Sequence, residues 1–600
     1  MAKFTTRPVI MGRKGVVTAG HYLAATAGHR IMEKGGNAID AAAAMSICVN
    51  LLEPQSCGIA GEVPTLIYSA KDRKSYAISG VGWSPESFSI EWCRNNGIDL
   101  IPGDGYLPIT VPAPIRTWGL ALAKFGTLSF ADILAPAIEL AEYGYPMYPS
   151  LRDTLINGKE KYLNLYPTTG EIYLPKGKAP EIGDLLINTD FANMLKLIVS
   201  EEKNNINKGR IAGIEAGCNA FYKGPIAETI LDFISNNPVE DASGSSHTGL
   251  LSDKDLSEWN AEIDEPLKYN YKGLDVLKCS SWTQGPVFLQ QLAILQNYDL
   301  KSMGHNSTEY LHTLIESAKL AFADREAYYG DPKFDDVPFD YLLSDSYNKN
   351  RSSLIDQKAS MDLIAGNLSD GKVPEYISDT VQDNNRYALG IEKRPTKDLG
   401  LGHSHTGDTT HLDAIDQQGN MVAATPSGGW LGTSPIVKGL GFPMGTRGQM
   451  FYLNPVRPNA LEPRKRPRAT LTPTMVTRNG NPEMVFGTPG GDSQDQWTLQ
   501  FFLNYYEFGM NLQEALDAAS IHSIHFPSSF YPREAFPGEI SAEDNIPSIT
   551  LKELEQKGHI VNKTAAWAHG KVMGITIDTK RNLISGASAA KGIIGYCIGW

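Results

Sequence analysis

Cysteine is scarce in this sequence and follows no motif. The 600 residues contain six cysteines, scattered along the chain, and no two of them form a C-x-x-C pair. Their spacing gives neither a compact disulfide framework nor a zinc-binding pattern, so we expect reduced thiols. The six are Cys48, Cys57, Cys93, Cys218, Cys279 and Cys597.

Basic blocks and long apolar runs are lacking as well. Acidic residues outnumber basic ones by 67 to 54, and the net charge is −13. This balance disfavours nucleic acid and anionic membranes as partners and favours a small molecule. The N-terminal MAKFTTRPVIMGRKG has no apolar core of signal-peptide length, and no later stretch reaches transmembrane length. We therefore expect a cytoplasmic protein.

Helical and strand patterns alternate over a length that exceeds one ordinary core. The stretch YLAATAGHRIMEKGGNAIDAAAAMSICVNLLEP predicts two buried helices separated by Gly35-Gly36. TLIYSA and SYAISG predict strands, and STEYLHTLIESAKLAFADREAYYGDP predicts a long helix that stops at Gly330-Asp331-Pro332. The pattern is that of a layered α/β or α+β protein.

A polar stretch precedes a second, β-rich part of the chain. Residues from about 344 to 406 are rich in Asp, Asn, Lys and Gly and are weakly periodic, which predicts a surface excursion or a flexible linker. LDAIDQQGNMVAAT then predicts a hairpin, since apolar and polar residues alternate around Gln418-Gly419-Asn420. Beyond it we expect strands at MGITID and LISGAS and one helix at NLQEALDAASIH.

Thr409 and Thr410 stand at the entry to this hairpin. A threonine hydroxyl needs a base, and a threonine at a chain N-terminus carries one in its own α-amine, whose unperturbed pKa is roughly 7.7–8.0. A linker ending at Thr409 is what a self-cleaving precursor requires. Taken alone, however, the pattern is equally that of an ordinary β-branched strand entry.

Seven blocks together make the chain resemble the γ-glutamyltransferase family of N-terminal-nucleophile hydrolases over nearly its whole length. They are GGNAIDAAAA (35–44), EPQSCGIAG (53–61), VPAPIRTWGL (111–120), ADREAYYGDP (323–332), DTTHLDAIDQQGNMVAAT (408–425), KRPRATLTPTMV (465–476) and GTPGGDSQ (487–494).

The resemblance implies a fold, a processing step and site residues. The fold is an α+β, four-layer αββα sandwich. The chain is expected to cut itself at Asp408–Thr409 into a large subunit (1–408) and a small subunit (409–600), which stay packed as one layered domain; whether such pairs dimerise is open. Thr409 is then the nucleophile, the Gly490-Gly491 turn holds the oxyanion, and Ser427 is a second hydroxyl near the nucleophile. No cofactor is implied.

The sequence departs from the family where a γ-glutamyl substrate is held. Val81, in GVGWSP, replaces the arginine that holds the α-carboxylate, and Met450, in TRGQMF, replaces the acidic residue that holds the α-amine. Because both anchors are lost, γ-glutamyl transfer is disfavoured. Arg447 becomes the candidate for gripping a substrate carboxylate by two hydrogen bonds, with a structural ion pair as the alternative.

Further positions of the family pattern also differ, because Ala469 and Thr470 replace a common serine pair and Gly429 replaces a common asparagine.

Two other motifs resemble a metal site and a serine-hydrolase site, but each matches its pattern poorly. His403, His405 and His411, in HSHTGDTTH, are a possible metal set, but cleavage would separate the last from the others and no further ligand has suitable spacing. We therefore expect no metal. GDSQD resembles a serine-hydrolase elbow only loosely, since Asp495 stands where that motif has glycine.

The sequence therefore predicts a self-processing threonine amidohydrolase, acting on a small, carboxylate-bearing amide. The alternatives are a γ-glutamyltransferase or glutathione hydrolase with an altered pocket, and an uncleaved, non-catalytic binding protein on the same scaffold.

Overall fold

Two antiparallel seven-stranded sheets form the centre of the molecule in a computed structural model that describes residues 4–368 and 409–600. Each sheet combines strands from before and after residue 409. The first sheet contains, in spatial order, Tyr596–Gly599, Gly15–Ala19, Leu412–Asp416, Met421–Ala424, Thr65–Ser69, Lys74–Ile78 and Ile263–Asp264. The second contains Ile10–Gly12, Leu583–Ser588, Met573–Asp578, Asn481–Gly487, Thr474–Arg478, Leu274–Lys278 and Leu267–Tyr271.

Three apolar clusters separate four layers. Side chains alternate along each strand, so that Val17 packs toward helices while Val16 packs toward the other sheet. The cluster between the sheets joins Ile415 and Met421 of the first sheet to Val485 and Ile575 of the second. One further cluster lies between each sheet and its own helices. The predicted four-layer αββα sandwich is confirmed.

Helices from the first part of the chain cover the first sheet. The alanine-rich helix Ala38–Leu52 is buried along its whole length, and a capping box between Asn37 and Asp40 fixes its start. Its small side chains allow the helix to lie close to the sheet. The principal helices on this side are Tyr22–Glu33, Ala38–Leu52, Pro114–Phe125, Phe130–Tyr143, Thr189–Asn205, Arg210–Tyr222 and Pro225–Asn236.

The second sheet is covered by helices from both parts of the chain. The predicted long helix is confirmed as Thr308–Tyr328, capped by Ser307. The helix expected at NLQEALDAASIH is confirmed as Leu512–Asp517, but it is not alone, because Gln494–Tyr506 and Ser548–Gln556 are also helical. The principal helices here are Pro286–Leu295, Thr308–Tyr328, Gln494–Tyr506, Leu512–Asp517 and Ser548–Gln556.

Shorter elements lie at the edges of the layers. Ile521–Ser523, Glu539–Glu543 and Ile560–Thr564 form a three-stranded sheet. The remaining short helices are Ile90–Asn95, Pro149–Asn157, Lys159–Asn164, Pro167–Tyr173, Asp253–Glu258, Leu300–Met303, Phe339–Leu342 and Asp345–Ser352.

The prediction of a polar surface excursion or linker from about residue 344 is partly wrong. Asp345–Ser352 is a helix, and Arg351 on it is buried and donates to the carbonyl of Leu320. Tyr347 and Arg351 of this segment bond to the Thr308–Tyr328 helix, so the segment packs on that helix instead of forming an excursion. The remainder of the predicted linker, from residue 369 to 408, lies outside the described residues.

The six cysteines are free and buried. Within the described ranges, no helix combines the length and the apolar character needed to cross a membrane.

The predicted hairpin is confirmed as strands Leu412–Asp416 and Met421–Ala424, and Asp416 ties it to a helix. Asp416 Oδ1 accepts from the backbone N–H groups of Gln418 and Asn420, both at 3.0 Å. Its Oδ2 accepts from the backbone N–H of Ala38 at 3.0 Å, at the start of the Ala38–Leu52 helix. One carboxylate therefore holds both the turn and the covering helix.

Replacing Asp416 by Ala is expected to lower the free energy of unfolding by about 2–4 kcal/mol, because it removes the hydrogen bonds that hold the turn and the start of the helix and leaves the buried N–H of Ala38 unpaired. Urea denaturation followed by circular dichroism measures the loss. Asp578→Ala is the control, since Asp578 also caps a turn, through Lys580 and Arg581, but on the surface. Equal shifts of the urea midpoint in both variants would contradict the tie to the helix.

Candidate active site

Thr409 lies at the strand entry that faces the space between the two sheets. It forms an isolated antiparallel bridge with Ser427, three residues before strand Leu412–Asp416 begins. Alternation along the chain places the Thr409 side chain on the same side as Ile415, which belongs to the cluster between the sheets. Thr409 is only 4% exposed. Its hydroxyl is thus held inside the sandwich.

Ser427 is the hydroxyl partner of Thr409. Thr409 Oγ1 and Ser427 Oγ are 3.1 Å apart, within hydrogen-bonding distance. The Ser427 backbone is fixed by two hydrogen bonds with Glu62: the Ser427 N–H donates to the Glu62 carbonyl at 3.0 Å, and the Glu62 N–H donates back at 2.8 Å. The structure therefore brings the two predicted hydroxyl residues together on a rigid backbone.

Arg447 forms a fully buried ion pair with Glu62. Its Nε and Nη2 lie 2.9 and 2.8 Å from Glu62 Oε2, and Nη2 also donates to Ser427 Oγ at 2.7 Å. Burial raises the pKa of Glu62, although the charge of Arg447 acts in the opposite direction. The pair orients Ser427 and, through it, the neighbourhood of Thr409.

This geometry corrects the prediction that Arg447 binds a substrate carboxylate by two hydrogen bonds. The Nε and Nη2 donors, which would grip a carboxylate side-on, are engaged by Glu62. The remaining nitrogen, Nη1, lies 3.8 Å from the Met450 sulfur, a weak acceptor. Arg447 therefore has no free fork for a substrate carboxylate, and only its Nη1 is not bonded to Glu62 or Ser427.

Thr410 and His411 are directed to other partners. Thr410 Oγ1 donates to Glu53 Oε2 at 2.9 Å. His411 uses both ring nitrogens inside the core, toward Thr425 Oγ1 and Asp413 Oδ1, each at 2.9 Å. His411 is therefore a structural residue, whereas His403 and His405 lie outside the described residues, as does Asp408 of the predicted cleavage site.

The Gly490-Gly491 turn approaches this region from the second sheet. It follows strand Asn481–Gly487, and any side chain at Gly487 would overlap the His411 ring, two residues after Thr409. Both turn glycines have positive φ, +126° and +53°. Among the described residues, no acceptor receives the backbone N–H of Gly490 or of Gly491. The two N–H groups of the turn are thus free to bind a ligand, beyond the end of a strand that lies against His411.

Asp492 anchors this turn to the long helix. Arg325 on that helix pairs with Asp492 Oδ1, and the hydroxyl of Ser529 donates to the same oxygen at 2.6 Å. The Ser529 N–H donates to Oδ2 at 2.8 Å. Burial disfavours the charged carboxylate, but Arg325 and Ser529 outweigh it and hold the pKa of Asp492 below its ordinary value.

An aromatic wall joins the turn to Arg447. Trp430, Met450 and Phe530 form one small apolar cluster. The Arg447 guanidinium carbon lies 4.8 Å from the centre of the Trp430 ring. Phe530 contacts both Trp430 and the position where a Gly491 side chain would stand. The wall therefore spans the distance between the ion pair and the turn.

The structure also accounts for residues that replace the family's substrate anchors. Val81 is fully buried in the cluster between the sheets, and Met450 belongs to the aromatic wall. Sequence patterns did not identify Glu62, Arg325 or Asp492 as parts of the site. Arg325 and Asp492 do lie within two of the seven blocks, ADREAYYGDP and GTPGGDSQ, which was the available signal.

Comparison with known proteins identifies the family to which the chain is similar. The family profile described as Gamma-glutamyltranspeptidase matches residues 24–593. The glutathione hydrolase-like YwrD proenzyme of Bacillus subtilis (strain 168) is 30% identical over 589 residues, covering 96% of this chain and 97% of that protein. The acylase ACY 1 proenzyme of Pseudomonas sp. (strain SE83) is 29% identical over 570 residues, covering 93% and 89%.

Solved structures share the whole fold. The structure of LmbA2991HD superposes with a TM-score of 0.91 at 38% identity and covers 100% of both chains. The crystal structure of cephalosporin acylase from Bacillus halodurans gives a TM-score of 0.81 at 27% identity, covering 100% of this chain and 98% of that one.

The two turn glycines are expected to respond differently to alanine. At Gly491 an added Cβ would lie 3.0 Å from Phe530 Cε2, so Gly491→Ala should fold and lose activity as the substrate oxygen is crowded. A loss of about 10²–10³ in kcat is typical for damage to an oxyanion site. At Gly490 the Cβ would overlap the Trp497 ring, so Gly490→Ala should lower the melting temperature. If Gly491→Ala lowers stability and activity in parallel, the turn is only structural.

Proposed function

We propose that this chain, which belongs to the gamma-glutamyltranspeptidase family, is a self-processing amidohydrolase that hydrolyses a small amide through an ester on Thr409. The observation that carries the proposal is the 3.1 Å approach of Thr409 Oγ1 to Ser427 Oγ inside the sandwich. The names of relatives, which include proenzymes, hydrolases and acylases, support it.

In the processed protein the Thr409 α-amine acts as the base. It accepts the proton of Thr409 Oγ1 while the oxygen attacks the carbonyl carbon of the amide. The carbonyl oxygen becomes an oxyanion, which the N–H groups of Gly490 and Gly491 stabilise. Collapse breaks the C–N bond, and the amine leaves with the proton that the α-amine had taken.

Water resolves the resulting ester. The α-amine, again neutral, accepts a proton from water as its oxygen attacks the ester carbon. Collapse of this second tetrahedral species releases the acid and returns the proton to Thr409 Oγ1. Ser427, held by Arg447 and Glu62, keeps the Thr409 hydroxyl aligned throughout.

Self-cleavage uses the same oxygen on the chain itself. Thr409 Oγ1 attacks the carbonyl carbon of Asp408, the C–N bond breaks, and the proton of Oγ1 passes to the nitrogen, so that Asp408 becomes an ester on Oγ1 and the α-amine of Thr409 is free. Water then hydrolyses that ester, which leaves Asp408 as a carboxylate and restores the Thr409 hydroxyl. Residues 1–408 then form the large subunit and residues 409–600 the small one.

The substrate is proposed to carry a carboxylate or a similar anion. Neither Val81 nor Met450 can replace the charged anchors of a γ-glutamyl group, whereas one arginine, Arg533, lies beside Met450 of the aromatic wall. Arg533 is 8% exposed and donates to the carbonyls that flank Met450, those of Gln449 and Phe451. Within the described residues it pairs with no carboxylate. Arg447 Nη1 supplies a second donor on this side.

Glutathione hydrolysis is the second candidate function. It is favoured by the YwrD relative, whose name describes a glutathione hydrolase-like protein. The loss of both amino-acid anchors argues against it. Release of glutamate from glutathione by the processed protein, at rates that exceed those on simple anionic amides, would establish this candidate over the first.

The first test is cleavage at Asp408–Thr409. Mass spectrometry of the purified protein should find a fragment that begins at Thr409. Thr409→Val, which keeps the side-chain volume but removes the hydroxyl, should remain uncut and inactive. Thr409→Ser, which keeps a hydroxyl, should still be cut.

Thr410→Val is the matched control, because the Thr410 hydroxyl is bonded to Glu53 and takes no part in the reaction. It should be cut like the wild type. A purified protein that hydrolyses amides while wholly uncut would refute the proposal, and an uncut, inactive wild type would support the non-catalytic alternative.

The second test separates two roles of Arg447 on processed protein. If Arg447 binds the anionic group of the substrate, Arg447→Lys should lower kcat/KM more for an anionic amide than for its neutral analogue. The difference should correspond to about 1.5–3 kcal/mol of transition-state stabilisation. If Arg447 only orients Ser427, kcat/KM should fall equally for both substrates. Arg478→Lys, on an exposed ion pair with Glu483, serves as the control and should change neither. Faster turnover of neutral amides by the wild type would rule out the anionic substrate class.

A further inference from the structure

A cluster of three metal-binding side chains lies on the long helix, apart from Thr409. His312 and Glu316 are one turn apart on the Thr308–Tyr328 helix, and His559 precedes strand Ile560–Thr564. His312 Nδ1 is 2.8 Å from His559 Nε2, which in turn is 4.0 Å from Glu316 Oε1. One ligand atom of each residue lies within 4.8 Å of the others, and all three residues are buried.

The hydrogen bonds of His312 leave a lone pair pointing into the cluster. Its Nε2 is 2.8 Å from the carbonyl oxygen of Asp356, which can only accept, so Nε2 carries the ring proton. Nδ1, the atom nearest to His559, is therefore unprotonated. An imidazole that donates its other N–H to a backbone carbonyl is the usual outer support of a metal-binding histidine.

Lys319 supplies the positive charge that now faces Glu316. Its Nζ donates to Glu316 Oε1 at 2.7 Å and to the carbonyl of Ser360 at 2.8 Å. The Ser360 N–H donates to Glu316 Oε2 at 3.2 Å. A cation that enters the cluster would compete with the Lys319 ammonium for Glu316 Oε1. The bond from the Ser360 N–H to Oε2 and the bond from Lys319 to the Ser360 carbonyl would remain.

We propose that His312, Glu316 and His559 form a binding site for a divalent transition metal of the Zn²⁺ type. Two imidazole nitrogens and one carboxylate oxygen favour such an ion over Ca²⁺ or Mg²⁺, which prefer oxygen ligands. Bonds of about 2.0–2.1 Å in tetrahedral geometry require the two nitrogens to be about 3.3 Å apart. A shift of about half an ångström from the present 2.8 Å meets this requirement.

The position of the site suggests a structural role. His312 and Glu316 precede the Asp408–Thr409 bond and His559 follows it, so a metal would join the two proposed subunits. Arg325, which holds the glycine turn, is thirteen residues along the same helix from His312, or about 20 Å away at the helical rise. Metal binding and the chemistry at Thr409 can therefore be tested separately.

Titration of the chelator-treated full-length protein with Co²⁺, followed by displacement with Zn²⁺, tests the site. The wild type should bind one equivalent, with the visible absorption of nitrogen- and oxygen-bound Co²⁺, and its melting temperature should rise. His559→Gln and Glu316→Gln should each weaken binding at least about tenfold. Lys319→Gln should strengthen it at least about tenfold, because the competing charge is removed.

Lys278→Gln is the matched control. Lys278 is also buried beside a carboxylate, Asp495, at 3.0 Å, and this pair is not part of the His312 cluster. It should leave Co²⁺ binding unchanged. The proposal is overturned if the Lys319→Gln variant binds Co²⁺ no more tightly than the wild type. It is also overturned if Lys278→Gln raises the affinity for Co²⁺ as much as Lys319→Gln does. That comparison decides the question even where the His559 and Glu316 variants fail to fold.

Discussion

The buried ion pair between Arg447 and Glu62 is the interaction on which the arrangement of the candidate site depends. Two opposite charges in the interior are tolerated only when each is closely paired, and breaking such a pair costs more than the pair contributes. Here one guanidinium pairs with Glu62 through Oε2 and at the same time orients the Ser427 hydroxyl. The backbone of Glu62 fixes that of Ser427 in return. The alignment of the Ser427 hydroxyl and the internal charge balance therefore rest on the same few atoms.

Local patterns allowed much of the fold to be predicted, because period and turn chemistry are properties of neighbouring residues. The hairpin around Gln418-Gly419-Asn420 and the two helices separated by Gly35-Gly36 were confirmed for this reason. The helix Gln494–Tyr506 was missed. Polar residues such as Gln494, Asp495 and Gln496 at its start are buried, so its sequence shows no polar outer face.

The parts of the site that were missed are held by long-range contacts. Arg325 meets Asp492 across 167 positions of sequence, and Glu62 meets Arg447 across 385. No spacing rule reveals such pairs, since a buried arginine and a substrate-binding arginine look alike in one sequence. For this reason the prediction that Arg447 binds a substrate carboxylate by two hydrogen bonds was wrong. Thr409, Gly490 and Gly491 could be proposed as site residues because the blocks that contain them resemble a family pattern, and Ser427 follows one of these blocks by two residues.

The order of strands has a consequence for assembly. Leu412–Asp416 is paired on one side with Gly15–Ala19 and on the other with Met421–Ala424, so segments from before and after residue 409 alternate within a sheet. Folding of the uncut chain is a unimolecular event. After a cut at residue 409, the same structure could re-form only by association of two polypeptides, and recovery from denaturation would become second order and dependent on concentration. The lifetime of the mature protein would then be set by its unfolding rate.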